Sequence, residues 1–240
     1  MKLASFAIGI LAFLLTANTA QAELMGISFY NITNNGNENI ANQLGAEVRD
    51  RSEAFDYFGE AIASDEVLFT FTNNVDSGIN SNIGEIYFDD GTILSQTRII
   101  DSLGGFTKYT GGTIKPGNLP SGNNISPAFV ATAGFGADTT KNPKNGVNAT
   151  IDILGIVIKL QTGLDFGDVQ TALTDGPLRL GLHVRSIGAG AADFSDSFVS
   201  NPFGDGPAAI ATPIPAAMWL FGPALLALTG VIRRKPQKLS

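Results

Sequence analysis

Through the middle of the chain, apolar and polar residues alternate in short runs separated by Gly, Asn and Asp. In VLFTFTN (67–73), Val67, Phe69 and Phe71 fall on one face, and Leu68, Thr70 and Thr72 on the other. LRLGLHVRSIG (178–188) sets Leu178, Leu180, Leu182 and Val184 against Arg179, His183 and Arg185. NIGEIYFDDGTIL (82–94) sets Ile83, Glu85 and Tyr87 against Gly84, Ile86 and Phe88, then turns at Asp89, Asp90 and Gly91. A period of two with this punctuation predicts antiparallel strands that each bury one face. IDILGIVIKL (151–160) predicts a more fully buried strand, and ISFYNIT (27–33) another. One segment has helical spacing: in LDFGDVQTALTDG (164–176), Phe166, Val169 and Leu173 share a side, Asp165 can cap and Gly176 follows the end. NIANQLGAEVRD (39–50) is a second helical candidate. Segments 115–127 and 134–146 predict long polar loops. The expected fold is mainly β: a single antiparallel β-sandwich, jelly-roll-like, over residues 23–200, with one or two short helices. Residues 201–212 (NPFGDGPAAIAT) are expected to be a spacer.

The two ends follow a different pattern. Lys2 precedes an almost unbroken apolar run over residues 3–15, and Ala20, Gln21 and Ala22 make a small-x-small site. These are the parts of a signal peptide over residues 1–22, cleaved by signal peptidase after Ala22; the run is short for a membrane span and no stop-transfer charges follow it. At the other end, residues 216–232 (AAMWLFGPALLALTGVI) carry no charge, a length at the lower edge of what spans a hydrocarbon core of about 30 Å. Trp219 lies towards the outer side of this predicted transmembrane helix, and Arg233, Arg234, Lys235 and Lys238 behind it place the stub 233–240 in the cytoplasm. Gly222 and Pro223 would be costly in a soluble helix and are tolerated in a membrane one.

Taken together, Pro213-Ile214-Pro215, Ala216-Ala217, Trp219-Leu220-Phe221-Gly222, the apolar stretch and Arg233 to Lys235 resemble a PEP-CTERM sorting tail, residues 213–240. Ile214 stands where the motif that names the family has Glu, and variants with an aliphatic residue there also resemble it. The resemblance implies an exported protein of an exopolysaccharide-producing Gram-negative bacterium. It would pass through the secretory translocon and be held in the inner membrane by its tail. Exosortase, the implied partner, would then process it near residues 213–215, leaving it at the cell surface or in the extracellular matrix. FTFTN, IGEIYFDDG and GNLP in the body are also similar to central domains of that family, to which the resemblance assigns no reaction. A plain C-terminal membrane anchor is the alternative reading of the tail.

Charge sharpens the picture of the body. All 22 acidic residues lie outside the two ends, whereas five of the 15 basic ones lie within them, so the body carries ten basic residues and a net charge of −12. Such a surface disfavours nucleic acid and anionic membranes as partners. The sequence has no cysteine, so burial must stabilise an exported domain without disulfides, and cysteine nucleophiles and thiolate-ligated metal sites are excluded. His183 is the sole histidine, which excludes multi-histidine centres, and no Gly-x-Ser-x-Gly elbow is present. No catalytic residue is assigned, and the body is read as non-enzymatic, structural or binding. Among its carboxylates, Asp89 and Asp90, with Glu85 before them, are the candidate Ca2+ ligands, against a plain turn-forming role; no other cofactor is expected. A carbohydrate-binding role towards secreted polysaccharide would use exposed aromatic rings, with Tyr57, Tyr87, Tyr109 and Phe135 as nominal candidates. Asn31, Asn124 and Asn148 match the N-glycosylation pattern, which Asn-rich turns also produce by chance.

Overall fold

The alternation seen in the sequence becomes two antiparallel sheets and two helices. The structure is a computed structural model that describes residues 23–36, 38–139, 145–188 and 194–201. The expected signal segment with Ala20 and Ala22, and the tail with Pro213, Ile214, Pro215, Trp219, Arg233, Arg234 and Lys235, lie outside the described residues. Among the described residues no helix is long and apolar enough to cross a membrane. The strands are β1 (Leu24–Ile27), β2 (Phe29–Asn31), β3 (Leu44–Arg49), β4 (Glu66–Asn73), β5 (Asn82–Asp89), β6 (Leu94–Gly104), β7 (Thr110–Gly111), β8 (Gly136–Asp138), β9 (Ile153–Leu160), β10 (Arg179–Ile187) and β11 (Phe194–Ser200). One sheet runs β1-β3-β4-β9-β6, and the other β2-β11-β10-β5-β8-β7.

The sheets share one apolar cluster. Val67, Phe69 and Phe71 of β4 and Leu154, Ile156 and Ile158 of β9 meet Ile86 and Phe88 of β5, Leu180, Leu182 and Val184 of β10, and Phe198 of β11. Phe88 lies edge-on to Phe69 (5.4 Å between centroids, 78° between planes) and to Phe71 (6.4 Å, 88°), the favourable arrangement for aromatic quadrupoles. The helix α2 (Phe166–Asp175) links β9 to β10 and adds Val169, Ala172 and Leu173 to the same cluster. Asp165 and Asp168 form a reciprocal capping box at its start, and Gly176, at φ 91°, ends it in the left-handed conformation.

Four expectations change. Residues 39–50 are not a helix: a single 3-10 turn at Ala41–Gln43 leads into β3, whose Leu44, Ala46 and Val48 face the core while the strand pairs with β1 and β4. Gly45 in that strand lies where a Cβ would come within 2.8 Å of the Thr72 hydroxyl. The helix of this region, α1 (Arg51–Phe58), begins one residue after the predicted segment ends, capped by Asp50, which accepts from the Glu53 amide, and closed by Gly59. Second, ISFYNIT is not one strand. The backbone passes from sheet to sheet at Ser28, so that Ile27 and Phe29 both enter the core from different sheets.

Third, β5 does not alternate simply. A bulge at Gly84 shifts the register with β10 between His183 and Val184. Ile83, Ile86 and Phe88 thereby all face the core, and Glu85 and Tyr87 turn to the outer face. Fourth, the segments read as polar loops do more than connect. Residues 136–138 of the second form β8, and the first lies within a cover over the outer face of the six-stranded sheet. There Ile114, Leu119 and Phe129 bury themselves against Tyr87 and Val199. Gly181 permits that approach, since a Cβ would stand 2.9 Å from the Phe129 ring and 3.0 Å from Leu119.

Because Phe88 holds both sheets together, Phe88→Ala should cost about 3–5 kcal/mol. Phe55→Ala, at a ring 61 % exposed, should change stability by less than about 0.5 kcal/mol. Urea unfolding followed by circular dichroism checks both.

Candidate functional site

The outward turn of Glu85 brings a line of polar side chains together across the sheet. In the six-stranded sheet, Asp138 of β8 stands opposite Glu85 of β5, Glu85 opposite His183 of β10, and His183 opposite Ser197 of β11. The Glu85 side chain is fully buried. One carboxylate oxygen meets His183 Nδ1 at 2.7 Å, and the other pairs with the Arg185 guanidinium, which crosses over Gly84. The Arg185 charge compensates the buried carboxylate, so the imidazole can remain neutral and donate from Nδ1. Burial holds His183 below the ordinary histidine value of 6.5, against the opposing pull of Asp196 and Asp138.

An acid, an imidazole and a hydroxyl on three neighbouring strands are the ingredients of a hydrolytic triad. Their setting is that of a structural network. Ser197 is 0 % exposed and its Oγ has no hydrogen-bond partner among the described residues, so the hydroxyl has no open side towards a substrate. The alternation places His183 between Arg179 and Arg185 on a polar face, and all three lie on the outer face of the sheet, Arg179 under the cover segment. The His183 partner, Glu85, was not foreseen, because the bulge that delivers it outward leaves no mark on the alternation.

The two candidate cation ligands are adjacent in sequence and diverge in function. Asp89 pairs with Arg179 and accepts from the Val130 amide (3.1 Å), while Arg179 also donates to the carbonyls of Pro127 (2.8 Å) and Ala128 (2.6 Å) and lies 5.4 Å from the Phe129 ring. Asp89 thus anchors the cover segment to the sheet. Asp90 accepts from the amides of Thr92 (3.0 Å) and Leu94 (3.3 Å) and from the Thr132 hydroxyl (2.8 Å), closing the turn between β5 and β6. Glu85 belongs to the His183 network instead. A Ca2+ ion at Asp89 and Asp90 would have to displace Arg179 or these turn amides, and no group of three or more His, Asp or Glu suited to a metal occurs among the described residues.

The nominal sugar-stacking rings separate clearly. Tyr87 and Tyr109 are buried, the latter donating its hydroxyl to the Ile83 carbonyl, and Phe135 packs against the core. Tyr57 on α1 is 66 % exposed, with the Arg49 guanidinium 5.3 Å from its ring centroid. Phe58 receives the same guanidinium at 5.0 Å, and Arg49 is further fixed by Glu47 and the Thr70 hydroxyl. Exposed Phe55, two residues before Tyr57, was missed; once α1 is a helix, that spacing puts the two on different sides, so one core-facing side cannot bury both. Of the glycosylation-pattern residues, Asn31 is engaged through its side-chain amide with Asp196 and with the Thr33 and Asn34 amides. No family model matches the protein, and none of the curated proteins or solved structures compared with it matches either.

Two outcomes follow from the Glu85 network. A group whose folded-state pKa lies below its unfolded value favours the unfolded state when protons become available. His183 should therefore leave stability undiminished above about pH 6.5 and begin to lower it as pH falls below that value, the loss being complete only below its depressed folded-state pKa. Melting temperatures between about pH 7.5 and 5.5 should decline for the native sequence and less steeply for His183→Gln. Arg185→Leu, which strands the buried carboxylate, should cost about 3 kcal/mol, and the double change Glu85→Leu with Arg185→Leu should recover most of it. Chemical denaturation of Arg185→Leu, Glu85→Leu and the double variant measures this coupling.

Proposed function

We propose that this is an exported surface or extracellular-matrix protein. Its body is a jelly-roll-like β-sandwich with a structural or binding role, and its tail is an exosortase-processed sorting signal. The observation that carries the reading is the order of features in residues 213–240: Pro-x-Pro, a charge-free stretch containing Trp219, and a basic stub. Two opposed antiparallel sheets sharing one apolar cluster support the sandwich. A cysteine-free body of net charge −12, with its buried carboxylates compensated internally, suits a protein that folds after export without disulfides. The partners on this reading are the secretory translocon, signal peptidase and exosortase.

A second reading, a carbohydrate-binding body directed at secreted polysaccharide, is favoured by one observation: the open face of Tyr57, its ring held in place by Arg49. A ring held this way loses little conformational freedom when a sugar stacks on it.

Intact mass of the mature protein from its native host tests the first reading. It should show loss of the residues beyond about position 215 and of residues 1–22. A mass that still includes Arg233 to Ser240 makes the tail a plain anchor and removes exosortase from the account. Pull-down on polysaccharide, with and without Ca2+, tests the second. Retention should fall on Tyr57→Ala, and retention unchanged by that substitution sinks the Tyr57 platform.

A further inference from the structure

Two Asn-Gly pairs occur in the sequence, Asn35 with Gly36 and Asn145 with Gly146. This dipeptide is the one most prone to cyclise, because glycine has no Cβ to keep its backbone nitrogen away from the preceding side-chain amide. The structure places the two pairs in opposite environments. Gly146 is buried, with the Asn82 side chain and the Ile83 carbonyl pressed against the position a Cβ would take. The Asn145 carbonyl accepts from the Lys108 amide at 2.8 Å, and Val147 is bridged to Ile83. Closing a ring there would require the backbone to turn inside a packed site. Asn35 is exposed, and Gly36 is half-buried against the Phe194 ring, with a would-be Cβ at 3.1 Å.

What Asn35 holds gives the difference a consequence. Asp196 on β11 is 1 % exposed, and its carboxylate is satisfied by the Asn35 amide (2.7 Å), the Thr33 hydroxyl (2.6 Å) and Asn31 Nδ2 (3.0 Å). Asn35 Nδ2 donates to the Ser195 carbonyl at 2.8 Å. Through these bonds the segment after β2 is fastened to β11.

We propose that Asn35 is a spontaneous deamidation site, and that its conversion releases this fastening and loosens the edge where β2 meets β11. The Gly36 nitrogen loses its proton to water and attacks Asn35 Cγ; the bond between Cγ and Nδ2 breaks and the amide nitrogen leaves as ammonia, giving a succinimide. Water then adds to one of the two ring carbonyls, and the bond from that carbon to the ring nitrogen opens to aspartate or isoaspartate. The net change is ammonia lost for water gained, with no oxidant or reductant. The new carboxylate replaces a donor with an acceptor facing the Ser195 carbonyl and brings a second negative charge to buried Asp196. The isoaspartyl form also adds a methylene to the backbone between the residue-35 amide, which Asp196 holds, and Gly36, which packs on Phe194.

The full-length protein is aged at mildly alkaline pH, natively and in urea, and peptide mapping by mass spectrometry quantifies acid at each asparagine. In the native protein Asn35 should convert about tenfold faster than Asn145, and in urea the two should convert at similar rates. Equal native rates, or Asn35 remaining an amide while the urea sample converts, overturn the site. Asn35→Gln, aged in parallel, should keep its initial melting temperature while that of the native sequence falls as acid accumulates. A native protein that gains acid at Asn35 with an unchanged melting temperature overturns the loosening.

Discussion

Two sheets without a disulfide between them depend on the apolar face they share. Phe88 is the centre of that contact, since it reaches from one sheet edge-on to Phe69 and Phe71 of the other. Burial of this kind has no direction, so the sheets need further devices to fix their register. They are polar and lie towards the outer faces: the Glu85, His183 and Arg185 network on β5 and β10, and the Arg179 and Asp89 pair that fastens the cover over Tyr87 and Val199. A buried carboxylate is destabilising alone, and here each has its compensating partner on a neighbouring strand or turn.

This internal pairing of polar groups shapes the functional picture. The side chains that look chemical in the sequence, Glu85, His183, Asp89 and Asp90, are engaged in holding strands and turns together. The large apolar side chains left facing outward include the rings of Phe55, Tyr57 and Phe106 together with Val130 and Ile151.

The strands with strict alternation were legible because one face had to be buried: Leu178, Leu180, Leu182 and Val184 allow only one orientation. The capped helix α2 was legible for a similar reason, with Asp165, Gly176 and its apolar side all agreeing. What could not be read depended on contacts distant in sequence. β3 reads as a helix until β1 and β4 supply its partners, and α1 escaped notice because only Ala54 of its residues is buried. The Glu85 network was hidden behind a bulge whose register is set by β10, and the burial of Tyr87 by a cover that looks polar when read alone.

The crossing at Ser28 has a bearing on how the protein reaches its final form. β2 follows directly on β1, yet its partner β11 lies far along the sequence, and Asn31 meets Asp196 across 165 positions. A polypeptide delivered from its N-terminus can pair β1 with β3 early, but it must hold β2 open until residue 200 has emerged. Closure of the six-stranded sheet is therefore a late, long-range event, and loop-closure entropy makes it slow relative to the local hairpins. During that interval Phe29 is without its place in the core, so the rate of delivery, as much as final stability, decides how long an adhesive strand edge is open to other molecules.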